Sequence, residues 1–246
     1  MAKVGPAPER NGLSAKREPQ GFGHGRALGG VDRYIDGLLV GEDEALAGAL
    51  RASSAAGLPP IHVTPAQGKF LHLIARLQGA GTVLEIGTLG GYSTIWHARA
   101  LPGWGRLVTL ELDADHAAVA RANIERAGLS AAVDLRVGDA RNLLPRLASE
   151  GRPPFDLIFI DADKSGIPEY FAWSLRVSRR GSVIIVDNVV RKGAVVDAAS
   201  ADPSVQGVRR FNEMLVAERR VSATTIQTVG AKGYDGFTLA VVVEGA

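Results

Sequence analysis

Apolar and polar positions change period along the chain. Through Tyr34, Ile35, Leu38 and Leu39 the apolar residues recur at helical spacing, and a second helical stretch covers 43–56 until Gly57-Leu58-Pro59-Pro60 breaks it. Thr64 then reads as the cap of a third helix, with Pro65 at its first position and Gln67 placed as in a capping box. That helix carries Phe70, Leu71, Ile74 and Leu77 on one face.

Further on, the pattern alternates. Strands are predicted at 82–86, 106–111, 133–137, 155–160 and 182–186, each followed by a helix, at 91–100, 115–127, 140–147, 168–178 and 204–217. Two β runs, 223–229 and 236–243, finish the chain, and the short connection around 232–235 makes them antiparallel neighbours. Strands alternating with helices imply a largely parallel sheet covered on both faces, and continuous apolar runs such as Leu157-Ile158-Phe159-Ile160 fit strands buried on both sides. The expectation is one doubly wound α/β domain over 30–246 with additional N-terminal helices. Residues 1–29, rich in Gly, Pro, Ala, Arg and Lys and without apolar periodicity, are expected to form a disordered tail.

Composition narrows the chemistry. The chain has 246 residues and no cysteine, which excludes disulfides, thiolate catalysis and cysteine-ligated metal sites. Apolar runs such as 183–186 are far too short to cross a bilayer, and no apolar segment of secretory type stands at the N-terminus, so a soluble cytoplasmic protein is expected. The formal charge is +2 and the pI about 9.0, but the basic residues are scattered in pairs such as Arg179-Arg180, Arg209-Arg210 and Arg219-Arg220. A nucleic-acid groove needs a denser basic stripe with stacking aromatics, so nucleic acid is not the expected partner.

The segment Val83-Leu84-Glu85-Ile86-Gly87-Thr88-Leu89-Gly90-Gly91-Tyr92-Ser93 carries the chemistry furthest. A strand runs into a glycine turn that opens a helix, and a ligand can lie against bare backbone there. The glycine spacing departs from G-x-G-x-x-G, and Glu85 stands where a diphosphate would meet an anion. A cationic ligand suits that carboxylate better, which favours S-adenosylmethionine, with its sulfonium and ammonium, over a dinucleotide. Glu111, at the end of the next strand, is placed to accept from both ribose hydroxyls. Asp139 and Ala140, after the third strand, are placed to flank an adenine, Asp139 doubling as a helix N-cap. Ser93 lies close to the amino-acid end of such a donor. The fourth strand ends in Asp161-Ala162-Asp163-Lys164 and the fifth in Asp187-Asn188, so Asp161, Asp187 and Asn188 converge as three hard oxygen ligands suited to Mg²⁺, Mn²⁺ or Ca²⁺.

Together the ordered motifs E-I-G-x-x-x-G-Y-S, L-E, G-D-A, F-I-D-A-D-K and V-D-N resemble the cation-dependent small-molecule O-methyltransferases, typified by the caffeoyl-CoA and catechol enzymes and their bacterial relatives. The resemblance spans roughly 60–243 and implies a Rossmann-like seven-stranded sheet, mostly parallel with an antiparallel last strand. It implies that Asp161, Asp187 and Asn188 hold the metal, and that Val63, Glu85, Gly87, Ser93, Glu111, Ala140 and Asp163 contact the donor. Lys164 matches a proposed general base, which has to be neutral to take a proton; an ion pair with a neighbouring acid is the competing role. A hydroxylated small-molecule acceptor with vicinal oxygens and a homodimer are implied as well. The alternatives are methylation of a hydroxylated tRNA base, a non-catalytic adenosyl-ligand binder and a nicotinamide reductase. Two stretches depart from the family: Ser165-Gly166-Ile167 replaces an acidic or amide residue and a tyrosine, and Val189-Val190-Arg191-Lys192-Gly193 gives a more basic rim. The long insertion of the plant enzymes is absent, so a coenzyme A thioester is not expected. Tyr234 and Phe237 are candidate acceptor walls.

Overall fold

In the computed structural model, residues 24–41 and 43–244 are described. Seven strands form one sheet in the order β3-β2-β1-β4-β5-β7-β6. They are β1 (Thr82–Ile86), β2 (Arg106–Glu111), β3 (Val133–Val137), β4 (Phe155–Ile160), β5 (Ser178–Asp187), β6 (Val221–Gly230) and β7 (Gly233–Val242). The first five run parallel, and β7 lies antiparallel to both β5 and β6, so only the last strand is reversed. The Rossmann-like architecture follows.

Side-chain alternation divides the core. Leu84, Ile86, Ile158 and Ile160 point to one face of the sheet, where Leu144, Phe171 and Phe211 cover them from α6 (Ala140–Ser149), α7 (Ile167–Arg176) and α8 (Pro203–Ala217). Val83, Leu157 and Phe159 point to the other, beneath Leu71 of α3 (Pro65–Gln78) and Ile95 and Trp96 of α4 (Tyr92–Ala98). All six residues of β4 are buried, which is why 157–160 reads as a continuous apolar run; Asp156 before it is satisfied by the amides of Gly81 and Thr82. The remaining helices are α1 (His24–Ile35), α2 (Glu44–Ala55) and α5 (Ala114–Arg126). Among the described residues no helix is long and apolar enough to cross a membrane.

Strand order reverses between β1 and β4, so the loops after these strands diverge and leave a crevice at the carboxyl edge of the sheet. Helix N-termini gather at the same edge. Asp113 caps α5 and Asp139 caps α6 through their side chains.

Three expectations need correction. Residues 24–29 of the expected tail are helical; residues 1–23 lie outside the described part. A distant contact ties helix α1 to the sheet: Asp32 accepts a hydrogen bond from the Ala231 amide at 2.5 Å in the turn between β6 and β7. Strand β5 starts at Ser178, not 182, since Ser178 pairs with Phe155 beyond a register shift. Gln67 completes only half of a capping box: Thr64 Oγ1 accepts from the Gln67 amide at 3.1 Å, but the Gln67 side chain reaches elsewhere.

Candidate active site

Gly87 follows β1 with φ of +100°, and a Cβ there would lie 2.2 Å from the Asp161 carbonyl oxygen. Only glycine lets the ends of β1 and β4 approach so closely. Above this contact opens a cavity of about 500 Å³, walled by the segments after β1, β2, β3, β4 and β5. Val63, Gly87, Ser93, Glu111, Asp139, Ala140, Asp161, Asp163, Lys164 and Asn188 all line it, whereas Glu85 and Asp187 stand behind the wall.

Glu85 has no exposed surface. Its carboxylate accepts from Ser93 Oγ at 2.7 Å, Thr109 Oγ1 at 2.7 Å and Thr94 Oγ1 at 2.5 Å. Burial pushes its pKa up to about 7, against the pull of the three hydroxyls. Glu85 therefore acts on the cavity through Ser93, whose hydroxyl it holds in place. Glu111 is tied as firmly. Oε2 accepts from the amides of Thr88 at 3.1 Å and Leu89 at 2.7 Å, and Oε1 from the amide of Asp113 at 3.0 Å. The carboxylate that ends β2 thus shapes the glycine turn while facing the cavity.

On the opposite wall Asp139 caps α6 and also accepts from the Arg141 guanidinium, at 3.0 Å from Nε and 2.7 Å from Nη2. Much of the acceptor capacity offered to an adenine amine is already taken, so Ala140 is the freer flank. Asp163 accepts from Tyr170 Oη, from Ser165 Oγ at 2.8 Å and from the Gly166 amide at 2.9 Å, and the hydroxyl partners help to hold its pKa below the usual carboxylate range despite partial burial.

Asp161 and Asp187 follow Ile160 and Val186, which pair across β4 and β5, so the two carboxylates leave the sheet side by side. Lys164 Nζ donates to Asp161 Oδ1 at 2.7 Å. Gln67 Nε2 donates to Asp187 Oδ2 at 2.6 Å, and the Asn188 amide to Oδ1 at 2.7 Å. Burial, then the charge of Asp161, raise the Asp187 pKa to about 7. Asn188 takes φ of +56° and lines the cavity. Among the described residues no three His, Cys, Asp or Glu side chains cluster as metal ligands. A cation here therefore draws on two acids and the Asn188 amide. Two crowded carboxylates whose mutual repulsion a divalent charge would relieve, with no soft donor, fit a hard ion.

Sequence reading missed several neighbours. Gln67 was legible only as a cap residue, and Tyr170 and Arg141 only as helix residues. Lys232, in the turn between β6 and β7, feels both Asp161 and Asp187; burial lowers its pKa while the two acids oppose that shift. Only the tertiary return of the last hairpin brings it there. Phe237 packs against Phe70 with centroids 5.1 Å apart, and Tyr234 donates to Gln227; neither lines this cavity.

A family model described as O-methyltransferase matches residues 39–242 of this chain. The chain belongs to the O-methyltransferase family. Its activity class is therefore S-adenosylmethionine-dependent methyl transfer to oxygen. This methyltransferase is 57% identical over 212 residues to a catechol O-methyltransferase of Niastella koreensis, covering 86% of this chain and 96% of the relative. A catechol O-methyltransferase of Mycobacterium tuberculosis is 52% identical over 212 residues, with 86% and 94% covered. Among solved structures, an O-methyltransferase from Bacillus cereus in complex with S-adenosylhomocysteine superposes with a TM-score of 0.88 at 55% identity, covering 89% of this methyltransferase and 99% of that chain. One from Streptomyces achromogenes in complex with S-adenosylmethionine gives 0.88 at 52% identity, with 90% and 100% covered.

Proposed function

We propose that this methyltransferase modifies one oxygen of a catechol-like small molecule bearing vicinal oxygens, with Mg²⁺, Mn²⁺ or Ca²⁺ held by Asp161, Asp187 and Asn188, and that it works in the cytoplasm as a homodimer. The observation that carries this reading is the pairing of Asp161 and Asp187 at adjacent strand ends, where Asp161, Lys164 and Asn188 line the cavity that also contains the glycine turn and Asp187 lies directly behind its wall. Exposed Leu73 and Leu77 on α3 offer apolar surface for a second copy.

Glu111 holds the ribose of the donor, Ala140 and Asp163 border its adenine, and Ser93, oriented by Glu85, meets its amino-acid end near Val63. These contacts fix the sulfonium methyl group against the acceptor oxygen, and such positioning is the main protein contribution to an in-line transfer. A divalent ion bound by the two acids and Asn188 supplies Lewis acidity that lowers the pKa of the acceptor hydroxyl. Lys164 Nζ, which donates to Asp161 Oδ1 at the cavity wall, is the group placed to take the hydroxyl proton, which requires that it first give up a proton of its own from that ion pair. The acceptor oxygen forms its bond to the methyl carbon as the carbon–sulfur bond breaks, and S-adenosylhomocysteine leaves. Mass spectrometry of catechol-type acceptors incubated with donor and Mg²⁺ tests the reading: a gain of one methyl group on oxygen is expected, and tRNA methylated in preference to every catechol would contradict it.

A further inference from the structure

Arg191 follows the candidate ligand Asn188 by three residues and lines the same cavity as Asn188 and Lys164. Its backbone takes φ of +55°, in the left-handed region that a long side chain seldom occupies. Asp235 holds it there, accepting through Oδ1 from the amides of Val190 and Arg191, each at 3.0 Å, and from the Gly236 amide at 3.0 Å. Asp235 Oδ1 is thus committed to backbone amides. The guanidinium has no ion pair among the described residues, and its Nε is buried without a hydrogen-bond acceptor. Arg141, on the wall where the adenine is placed, contrasts with it, being paired with Asp139 through Nε and Nη2.

On this half-buried side chain the Nε is buried without an acceptor, while the terminal nitrogens reach the cavity, and a buried unpaired donor is costly unless a bound group completes it. The planar guanidinium fork matches a carboxylate in two parallel hydrogen bonds. The wall beyond Asn188 therefore carries one fixed positive charge with donors to spare, at the end of the cavity where the acceptor is placed. We propose that Arg191 selects acceptors that bear a carboxylate on the ring in addition to the vicinal oxygens. This rests on the reading of a catechol-like acceptor given above. Arg191 touches the substrate in this account but no reacting atom, so it sets specificity.

The test compares 3,4-dihydroxybenzoate with its neutral isostere 3,4-dihydroxybenzamide in the full chain, in Arg191→Met and in Arg191→Lys. In the unaltered chain kcat/KM for the acid exceeds that for the amide by about tenfold or more, the scale of one charge-assisted contact. Arg191→Met brings the ratio near one, chiefly through KM for the acid, and Arg191→Lys retains part of it. Each ratio is internal to one protein, so a general loss of folded material cancels; if Arg191→Met does not fold, the ratios in the unaltered chain and in Arg191→Lys decide. Equal use of acid and amide by the unaltered chain, or a ratio that Arg191→Met leaves intact, would overturn the inference while the acceptor reading stands. Transfer to neither compound would overturn the acceptor reading and this inference with it.

Discussion

The Gln67 side chain donates to Asp187 Oδ2 over 2.6 Å, joining the first turn of α3 to the end of β5 across 120 residues of sequence. Asp187 is almost fully buried, so this amide sets where the carboxylate points. In Gln67→Leu that oxygen loses its donor while the backbone cap to Thr64 persists. Partners that orient metal ligands are typically worth about 10- to 100-fold in metal affinity or activity. The Mg²⁺ concentration giving half-maximal methyl transfer is expected to rise on that scale, and an unchanged metal titration would show that Gln67 does not orient the ligand.

Glu85 makes stability fall as pH rises. Its folded pKa, pushed to about 7, lies above the ordinary value of 4.5, so between these values the folded state binds more protons than the unfolded one. The contribution is full below pH 4.5 and is lost as pH passes through 7. At roughly 1.4 kcal/mol per pKa unit it reaches roughly 3 kcal/mol. Glu85→Gln mimics the protonated acid. In denaturant titrations without donor, the variant should gain stability relative to the unaltered chain between pH 5 and 8. Parallel curves would place the Glu85 pKa near its ordinary value.

His97 acts in the opposite direction. It is fully buried against Phe159, neither ring nitrogen has a partner among the described residues, and burial lowers its pKa from 6.5 to about 3. Below pH 6.5 the unfolded imidazole takes a proton that the folded one refuses, so stability is lost as pH falls toward 3. By pH 5 the loss is about 2 kcal/mol. His97→Leu sacrifices no hydrogen bond and removes that slope. Melting of the two proteins at pH 8 and pH 5 should show the unaltered chain losing ground to the variant in acid, and an equal loss in both would contradict this.

Much of the sheet was legible because buried parallel strands leave continuous apolar runs, as in β4, and because the Gly87 turn announces a close backbone approach. The start of β5 was not, since Ser178-Arg179-Arg180-Gly181 is polar and joins the sheet only through its pairing with β4. Helix α1 was hidden for a related reason: Gly29 and Gly30 weaken its local preference, and the contact from Asp32 to the last hairpin comes from the far end of the chain. The site shows the same division. Asp161, Lys164, Asp187 and Asn188 stand at strand ends, where topology alone predicts convergence. Gln67 and Lys232 enter from a helix and a turn distant in sequence, and no local pattern marks a side chain that meets its partner only in the folded state. Glu85 was legible as part of the donor end, but its burial beneath Ser93, Thr94 and Thr109 depends on three residues whose hydroxyls converge only in three dimensions.

On the proposed mechanism Asp161, Asp187 and Asn188 clasp one hard ion on which methyl transfer depends. Methylation of 3,4-dihydroxybenzoate, followed with and without a chelator in the unaltered chain, Asp161→Ala and Asn188→Ala, tests it most directly, alongside calorimetric binding of S-adenosylhomocysteine. The chelator should stop transfer and added Mg²⁺ restore it, while both variants lose turnover yet keep their affinity for S-adenosylhomocysteine within a few-fold. Transfer at an undiminished rate in the presence of chelator, or in either variant, would contradict the account.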